Sequence, residues 1–271
     1  MPKYSIDIKT LLNSKRYKLT GRFKFHIIYQ LVLKLNLIHQ YDIVHNDLSE
    51  VNVLLTKSLI ELLNIREENE ENINDIKKHL NPYNLKDIKE YEPIIIDFGK
   101  SMSLNMNFIK NIQVKRHSLI NKDDLIHLPL IKLCKPEHGF VLYRSILTIP
   151  IHHKQEFIQP IKLYDPKKED IYSLGILIFR ILTNLSPWGG VLEKQLKQIR
   201  EIIEDPIEQY KHLKRDLKDN NCWLELLCFL LHPKPELRWN SREIVKYLKV
   251  NAKKLLEECI MLSKARTKKR M

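Results

Sequence analysis

The chain has 271 residues, enough for one large domain or two small ones, and it can bury a stable core without disulfide bonds. Apolar residues make up 44% and charged residues 29%, as in soluble globular proteins. No apolar run approaches the length needed to cross a bilayer, and the first residues, MPKYSIDIKT, lack the apolar stretch of a secretory signal, so we expect no membrane partner.

The formal net charge of +13 raises the possibility of a nucleic-acid partner. The positive residues are, however, scattered at single positions, and only KARTKKR at 264–270 is dense. We interpret this end as a solvated basic tail, with a nuclear-import signal as the alternative. Nucleic acid is therefore not an expected partner.

Four cysteines, Cys134, Cys222, Cys228 and Cys259, match neither a metal-binding C-x-x-C pair nor a disulfide framework. Such spacing is typical of a reducing compartment. We therefore expect a cytoplasmic or nuclear protein.

The first strong helical pattern covers residues 22–39, where apolar side chains recur at steps of three and four. The segment IVHNDLSEVNVLL at 43–55 follows, and its β-branched Val51 and Val53 predict a short strand over 51–55. The polar residues within it could form a plain turn, because Asn and Asp side chains bond the local backbone.

Residues 64–92 are charged, rich in asparagine and broken by a proline, so we interpret them as a surface insertion. The run EPIIIDFGK comes next, and its three isoleucines before an acid predict a buried strand over 94–97 that leads to a tight turn. Residues 100–160 have few periodic signals beyond the strand-like alternation in FVLYRSI. His152 and His153 lack partners at metal-ligand spacing.

The segment EDIYSLGILIFRILTNLSPW has apolar residues nearly all round its helical circumference, which predicts a buried central helix over 169–183 capped by Asn184. Amphipathic segments follow at about 191–204, 222–232 and 241–257. The predicted fold is mainly α (α+β), with about six or more helices around the central one and a small β-hairpin formed by 51–55 and 94–97.

Four segments, in this order, resemble one known family. They are IVHNDLSEVNVLL, IIIDFGKS, EDIYSLGILIFRILTNLSPW and HPKPELRWNSREIV, and they resemble the larger, C-terminal lobe of the eukaryotic protein kinases. That family has a catalytic loop H-R-D-L-x-x-x-N and a metal-binding D-F-G motif. The resemblance covers residues 1–257, with an insertion at 64–92 and a long activation segment at 97–160, and it leaves 258–271 as a basic tail.

The resemblance implies ATP-dependent phosphoryl transfer to a hydroxyl of a protein substrate. Asp47 would accept the proton of that hydroxyl and orient it. Asn52 and Asp97 would hold Mg²⁺, which prefers oxygen ligands, and together with Val53 they would contact ATP. The large lobe could also bind a partner protein.

The same resemblance implies structural roles for other residues. His45 and Phe98, the latter followed by Gly99, would stack into a hydrophobic column anchored by Asp170. Because an acid entering a core needs hydrogen-bond donors, we expect Asp170 to bond backbone amides of the catalytic loop. Arg238 resembles the family arginine that pairs with an acid closing the activation segment.

Three positions depart from the family pattern. Asn46 replaces the arginine before the catalytic aspartate, so activation by a phosphorylated activation segment is not expected. Ser49 stands where serine/threonine kinases usually have a lysine that contacts the transferred phosphate, and some loss of rate should follow. Ile161 replaces the acid that Arg238 should meet, so that pair is absent or is made with another residue.

No glycine-rich loop, V-A-I-K lysine or partnering glutamate of the small lobe can be placed in residues 1–271. We therefore expect a truncated kinase, weak or inactive as this chain alone. The main alternative is a pseudokinase, an interaction module without catalysis. A small-molecule phosphotransferase of the aminoglycoside kind shares the His-x-Asp, Asn and Asp-x-Gly arrangement, although the later helices favour protein kinases. The remaining alternative is an unrelated helical domain with chance turns.

Overall fold

A computed structural model describes residues 4–14, 19–56, 93–104, 165–187, 206–217 and 220–267. The predictions for 64–92 and 191–204 lie outside these ranges, as does most of the predicted activation segment at 97–160. Within them the chain is mainly helical, as the sequence predicts. None of the described helices is long and apolar enough to cross a membrane.

Seven α-helices and five short strands make up the described part of the chain. The helices are α1 (Ile8–Asn13), α2 (Gly21–Gln40), α3 (Pro166–Thr183), α4 (Pro206–Leu217), α5 (Asn221–Leu230), α6 (Ser241–Val250) and α7 (Ala252–Thr267). The strands are β1 (Tyr4–Asp7), β2 (Ile43–Val44), β3 (Val53–Thr56), β4 (Ile94–Ile95) and β5 (Met102–Ser103). Two 3₁₀ turns, Phe98–Lys100 and Pro235–Leu237, follow β4 and α5.

The two strongest helix predictions are confirmed, although α3 begins at Pro166, three residues before its predicted start. Helix α2 begins after Thr20, whose hydroxyl accepts a hydrogen bond from the Phe23 amide at 3.3 Å. Helix α3 begins after Asp165, whose carboxylate accepts from the Lys167 amide at 2.9 Å, and it ends at the predicted cap Asn184, which is left-handed with φ 51°.

Helix α3 is the central helix of the core, and it packs against α2, α5 and α7. Most of its residues are buried, including apolar side chains on every side. Trp223 of α5 is fully buried, and its indole nitrogen donates to the Leu255 carbonyl at 2.9 Å.

The C-terminal boundary predicted from the sequence is wrong. Helix α7 continues to Thr267, and it buries Cys259 and Leu262 against the core, so 258 lies inside a packed helix and does not begin a solvated tail. The predicted segment 241–257 is two helices that meet at Asn251. The sequence prediction was guided by the basic composition of residues 264–270. The few apolar residues before them are nevertheless enough to pack one face of a helix.

Two small antiparallel sheets flank the loop between β2 and β3 and the loop between β4 and β5. Strands β1, β3 and β4 form one sheet in that order, with Val53 paired to Ile95, and β2 pairs with β5 in the other. The predicted pairing of a strand near 51–55 with one near 94–97 is confirmed. Its limits are corrected, because Val51 lies in a turn before β3 with 41% of its surface exposed. The third strand, β1, was not predicted.

Candidate functional site

The segment from His45 to Asn52 connects β2 to β3, and a buried carboxylate of the central helix fixes its beginning. Asp170 accepts hydrogen bonds from the backbone nitrogens of His45, at 2.7 Å, and Asn46, at 2.8 Å. His39 of α2 lies 3.1 Å from the same carboxylate. The predicted backbone donors to Asp170 are therefore present, and they satisfy a carboxylate that is only 1% exposed.

His45 is a buried structural residue. Its Nδ1 accepts a hydrogen bond from the Asp47 amide at 3.3 Å, so Nε2 carries the proton and donates to the Ile96 carbonyl at 2.9 Å. Its ring lies edge-on to that of Phe98, with centroids 4.9 Å apart. The predicted contact between these two rings is present, although Phe98 keeps 44% of its surface exposed. The imidazole ties the loop before β3 to the segment after β4.

A backbone hydrogen bond brings Asn52 close to the segment that contains Asp97. The Asn52 carbonyl accepts from the Ile96 amide at 2.9 Å, which places the residue before β3 beside the residues after β4. The Asn52 side-chain nitrogen donates to the Asp47 carbonyl at 2.8 Å, so its amide oxygen is the remaining ligand atom. Pairing of β3 with β4 thus brings Asp47, Asn52 and Asp97 to one end of the sheet.

Asp97 has an unusual backbone. Its φ of 64° and ψ of 65° are left-handed, a conformation that aspartate tolerates better than most residues, and its side chain accepts from the Gly99 amide at 3.3 Å. The carboxylate is exposed. A Cβ added to Gly99 would lie 3.2 Å from the Asp97 Oδ1, so glycine leaves room for this carboxylate.

A lysine that the sequence did not single out reaches the predicted catalytic aspartate. Lys100 Nζ lies 2.7 Å from Asp47 Oδ2, and the Lys100 carbonyl accepts from the Asn46 side chain at 3.0 Å. Asp47 is 8% exposed. The sequence does show a lysine directly after Asp-Phe-Gly in IIIDFGKS. Its contact with Asp47 could not be predicted without the three-dimensional structure.

The oxygen donors at this site fit magnesium. Asn52 offers an amide oxygen and Asp97 an exposed carboxylate, and Mg²⁺ commonly takes one or two protein oxygens and completes its shell with phosphates and water. Among the described residues no group of three or more His, Cys, Asp or Glu side chains could hold a metal ion by itself. The remaining ligands of a Mg²⁺ bound at this site would be phosphate oxygens and water.

Val53 occupies a different position from the one expected. Its side chain is fully buried with the core, as is that of Leu55, whereas Leu54 between them is half-buried. Because successive strand residues point to opposite faces, Val53 points into the core and Leu54 points away from it. This burial argues against the predicted contact between Val53 and a nucleotide.

Arg238 has a different partner from the one the resemblance implies. Its guanidinium bonds Glu169 Oε1 at 2.9 Å, the Lys168 carbonyl at 2.9 Å and the His232 carbonyl at 2.7 Å, and it covers the Tyr172 ring. Arg238 is 1% exposed. The pair is thus made with an acid of α3, while Ile161 lies outside the described residues.

The chain was compared with known protein families and with curated proteins. No protein-family model matches the chain, and no curated protein matches its sequence. The interpretation of the site therefore depends on its residues and their contacts.

Proposed function

We propose that the chain contains the large lobe of a protein-kinase-like domain, which transfers the γ-phosphoryl group of ATP to a hydroxyl of a protein substrate. The observation that carries the proposal is the meeting of Asn52 with the Ile96–Asp97 segment. Asn52 and Asp97 are 45 positions apart (97 minus 52), yet they border the same backbone hydrogen bond, with Asp47 bonded to Asn52.

The mainly helical fold and the two small sheets support the proposal. The carboxylate of Asp170 holds the loop that carries Asp47, and the β2–β5 and β3–β4 pairs hold both ends of the Asp97 segment. Phosphoryl transfer requires little covalent chemistry from the protein, so positioning of a few oxygen-bearing side chains is the main requirement.

In the proposed reaction the substrate hydroxyl oxygen forms a bond to the γ-phosphorus, and the bond from that phosphorus to the β–γ bridging oxygen breaks. Asp47 accepts the hydroxyl proton and orients the nucleophile. Asn52 and Asp97 would hold Mg²⁺, which would neutralise charge on the phosphate oxygens. ADP and a phosphorylated hydroxyl are the products.

Turnover by residues 1–271 alone should be slow. These residues contain no glycine-rich phosphate loop and no V-A-I-K lysine, so the contacts that these two groups make with the ATP phosphates in protein kinases would be missing. The alternative function is an interaction module without catalysis. It is favoured by one observation, the ion pair with Lys100 that occupies the Asp47 carboxylate.

Binding of ATP to residues 1–271, measured by calorimetry with and without Mg²⁺, tests the proposal. We expect Mg²⁺-dependent binding that Asp97→Asn weakens at least about tenfold, because the exposed carboxylate loses its charge toward the metal. Asp216→Asn on α4 is the matched control and should bind as the wild type does. Absence of Mg²⁺-dependent ATP binding by the wild type would contradict the proposed site.

Transfer of phosphate separates the two candidate functions. With labelled ATP and a mixture of hydroxyl-bearing acceptor proteins, the wild type should show slow incorporation that Asp47→Asn reduces by a factor of about 10² or more. ATP binding without any incorporation would favour the interaction module.

A further inference from the structure

We propose that Lys100 supplies the positive charge that Ser49 lacks, and that it contacts the transferred phosphoryl group during the reaction. This inference rests on the proposed function. The observation behind it is the 2.7 Å contact between Lys100 Nζ and Asp47 Oδ2, which puts an ammonium group on the carboxylate that would orient the nucleophile.

The backbone of Lys100 is fixed by the residue that departs from the family pattern. Asn46 donates its side-chain amide to the Lys100 carbonyl at 3.0 Å, and its own backbone nitrogen is held by Asp170 at 2.8 Å. Asn46 has a left-handed φ of 62°, so a polar side chain with low strain in this region suits the position. Asn46 therefore links the anchored loop to the 3₁₀ turn that carries Lys100.

Ser49 cannot provide the missing charge itself. Its side chain is 2% exposed, and its hydroxyl has no hydrogen-bond partner within the described residues. Lys100 is three positions after Asp97, on the turn that begins at Phe98, so it belongs to the same segment as the proposed metal ligand. The two departures from the kinase pattern in this loop are thus both explained by Lys100. Asn46 holds its backbone, and Lys100 provides the charge that is missing at Ser49.

A purely structural ion pair is the competing explanation. The Lys100 side chain is 36% exposed, and ion pairs with this much solvent contact contribute little to stability. An ammonium group has three donors, and the contact with Asp47 uses one of them. The other two can donate to non-bridging oxygens of the phosphoryl group as negative charge spreads over them, which is where a fixed cation accelerates transfer most.

The test compares Lys100→Met, which removes the charge at similar length, with Lys100→Gln, which keeps a donor without the charge. Three quantities are measured on residues 1–271: the affinity for Mg²⁺–ATP, the affinity for Mg²⁺–ADP with aluminium fluoride, and the transfer rate at saturating ATP. Aluminium fluoride mimics the transferring phosphoryl group. Lys167→Met is the matched control, because Lys167 also pairs with an aspartate, Asp42, at 2.6 Å.

We expect both Lys100 variants to lower the transfer rate and the aluminium fluoride affinity by a factor of about 10–10³, while the affinity for ATP changes less than about threefold. Lys167→Met should match the wild type in all three quantities.

If Lys100→Gln has the wild-type rate and the wild-type affinity for the aluminium fluoride complex, the inference is overturned. The proposed function stands in that case if Asp47→Asn still reduces transfer. An equal loss of affinity for ATP and for the mimic would also overturn it, because the charge would then act on the ground state. Failure of the wild type to bind Mg²⁺–ATP would overturn the proposed function and this inference together.

Discussion

The carboxylate of Asp170 lies 2.7 Å from the backbone nitrogen of His45, which is 125 positions earlier in the chain. Its other oxygen accepts from the Asn46 nitrogen at 2.8 Å, and His39 lies 3.1 Å away. One buried side chain therefore joins the start of α3, the end of α2 and the loop that carries Asp47. Stability and the geometry of the site depend on the same group.

Replacing Asp170 with asparagine should destabilise the protein by about 2–3 kcal/mol, because an NH₂ group would then face a buried donor. Urea unfolding followed by circular dichroism measures this loss. The matched control is Asp165→Asn, since asparagine caps a helix as well as aspartate does, and it should change stability by less than about 0.5 kcal/mol. Equal losses of stability in the two variants would show that the buried hydrogen bonds of Asp170 contribute no more to stability than a helix cap does.

Arg238 and Glu169 form a second buried connection, between the Pro235–Leu237 turn and α3. Removing one partner leaves an uncompensated charge, so Arg238→Met should cost about 3–5 kcal/mol. Arg238→Lys should also be destabilising, because a lysine cannot donate to the carboxylate and several carbonyls in one plane. Both are measured by thermal or urea unfolding.

Arg215 on α4 is the control for this prediction. It pairs with Asp216 at 3.3 Å, but 61% of the arginine side chain is exposed. Arg215→Met should therefore change stability by less than about 1 kcal/mol. A loss at Arg238 as small as this would mean that water reaches the buried guanidinium.

The central parts of the fold could be predicted because their signals are local. Helices α2 and α3 have apolar patterns, caps and lengths that need no knowledge of the rest of the chain. That Asp170 needs hydrogen-bond donors followed from a general rule for an acid within a core, and the family resemblance implied that the catalytic loop supplies them. The fold then determined which donors these were.

Other features depend on contacts between distant segments. The β1 strand is four residues long, and only its pairing with β3 makes it a strand. The contact between Lys100 and Asp47 joins residues 53 positions apart, and nothing in either local sequence specifies it. The burial of Cys259 in a basic segment likewise depends on Gly21 of α2, which allows α7 to come close.

The approach of α2 to α7 gives a third prediction. A Cβ added at Gly21 would lie 2.4 Å from the Cys259 carbonyl oxygen and the Ile260 nitrogen, which are backbone atoms that cannot rotate away. Gly21→Ala should therefore lose about 2–3 kcal/mol or more through overpacking, despite the better helix propensity of alanine. The free energy of unfolding in urea measures the effect.

Gly175 in α3 is the natural comparison. A Cβ there would come 2.8 Å from the Leu231 Cδ2 and 3.0 Å from the Leu230 Cβ, which are side-chain atoms, so the contact is less severe than one with backbone atoms at Gly21. Gly175→Ala should accordingly be clearly less destabilising than Gly21→Ala. The opposite order would show that α7 can move away from α2 at little cost.

The thiol of Cys228 gives a prediction about pH. Burial, with a smaller contribution from the Glu225 carboxylate, raises the pKa of Cys228 to about 11, from an ordinary value of 9.0. The unfolded chain loses this proton at lower pH than the folded protein does, so the stabilisation is complete below pH 9 and is lost as the pH rises toward 11. For a half-buried thiol the loss should be about 1–2 kcal/mol.

The measurement is the difference in unfolding free energy between the wild type and Cys228→Ala at pH 8 and at pH 10.5. Titration of every other group is common to both proteins and cancels, so this difference should fall by about 1–2 kcal/mol as the thiol of the unfolded wild type ionises. Cys228→Ser, which does not ionise in this range, should give the same slope against the wild type as alanine does. Parallel stability curves for all three proteins would show that Cys228 has the same pKa in the folded and unfolded chains, and that burial at this position does not penalise the thiolate.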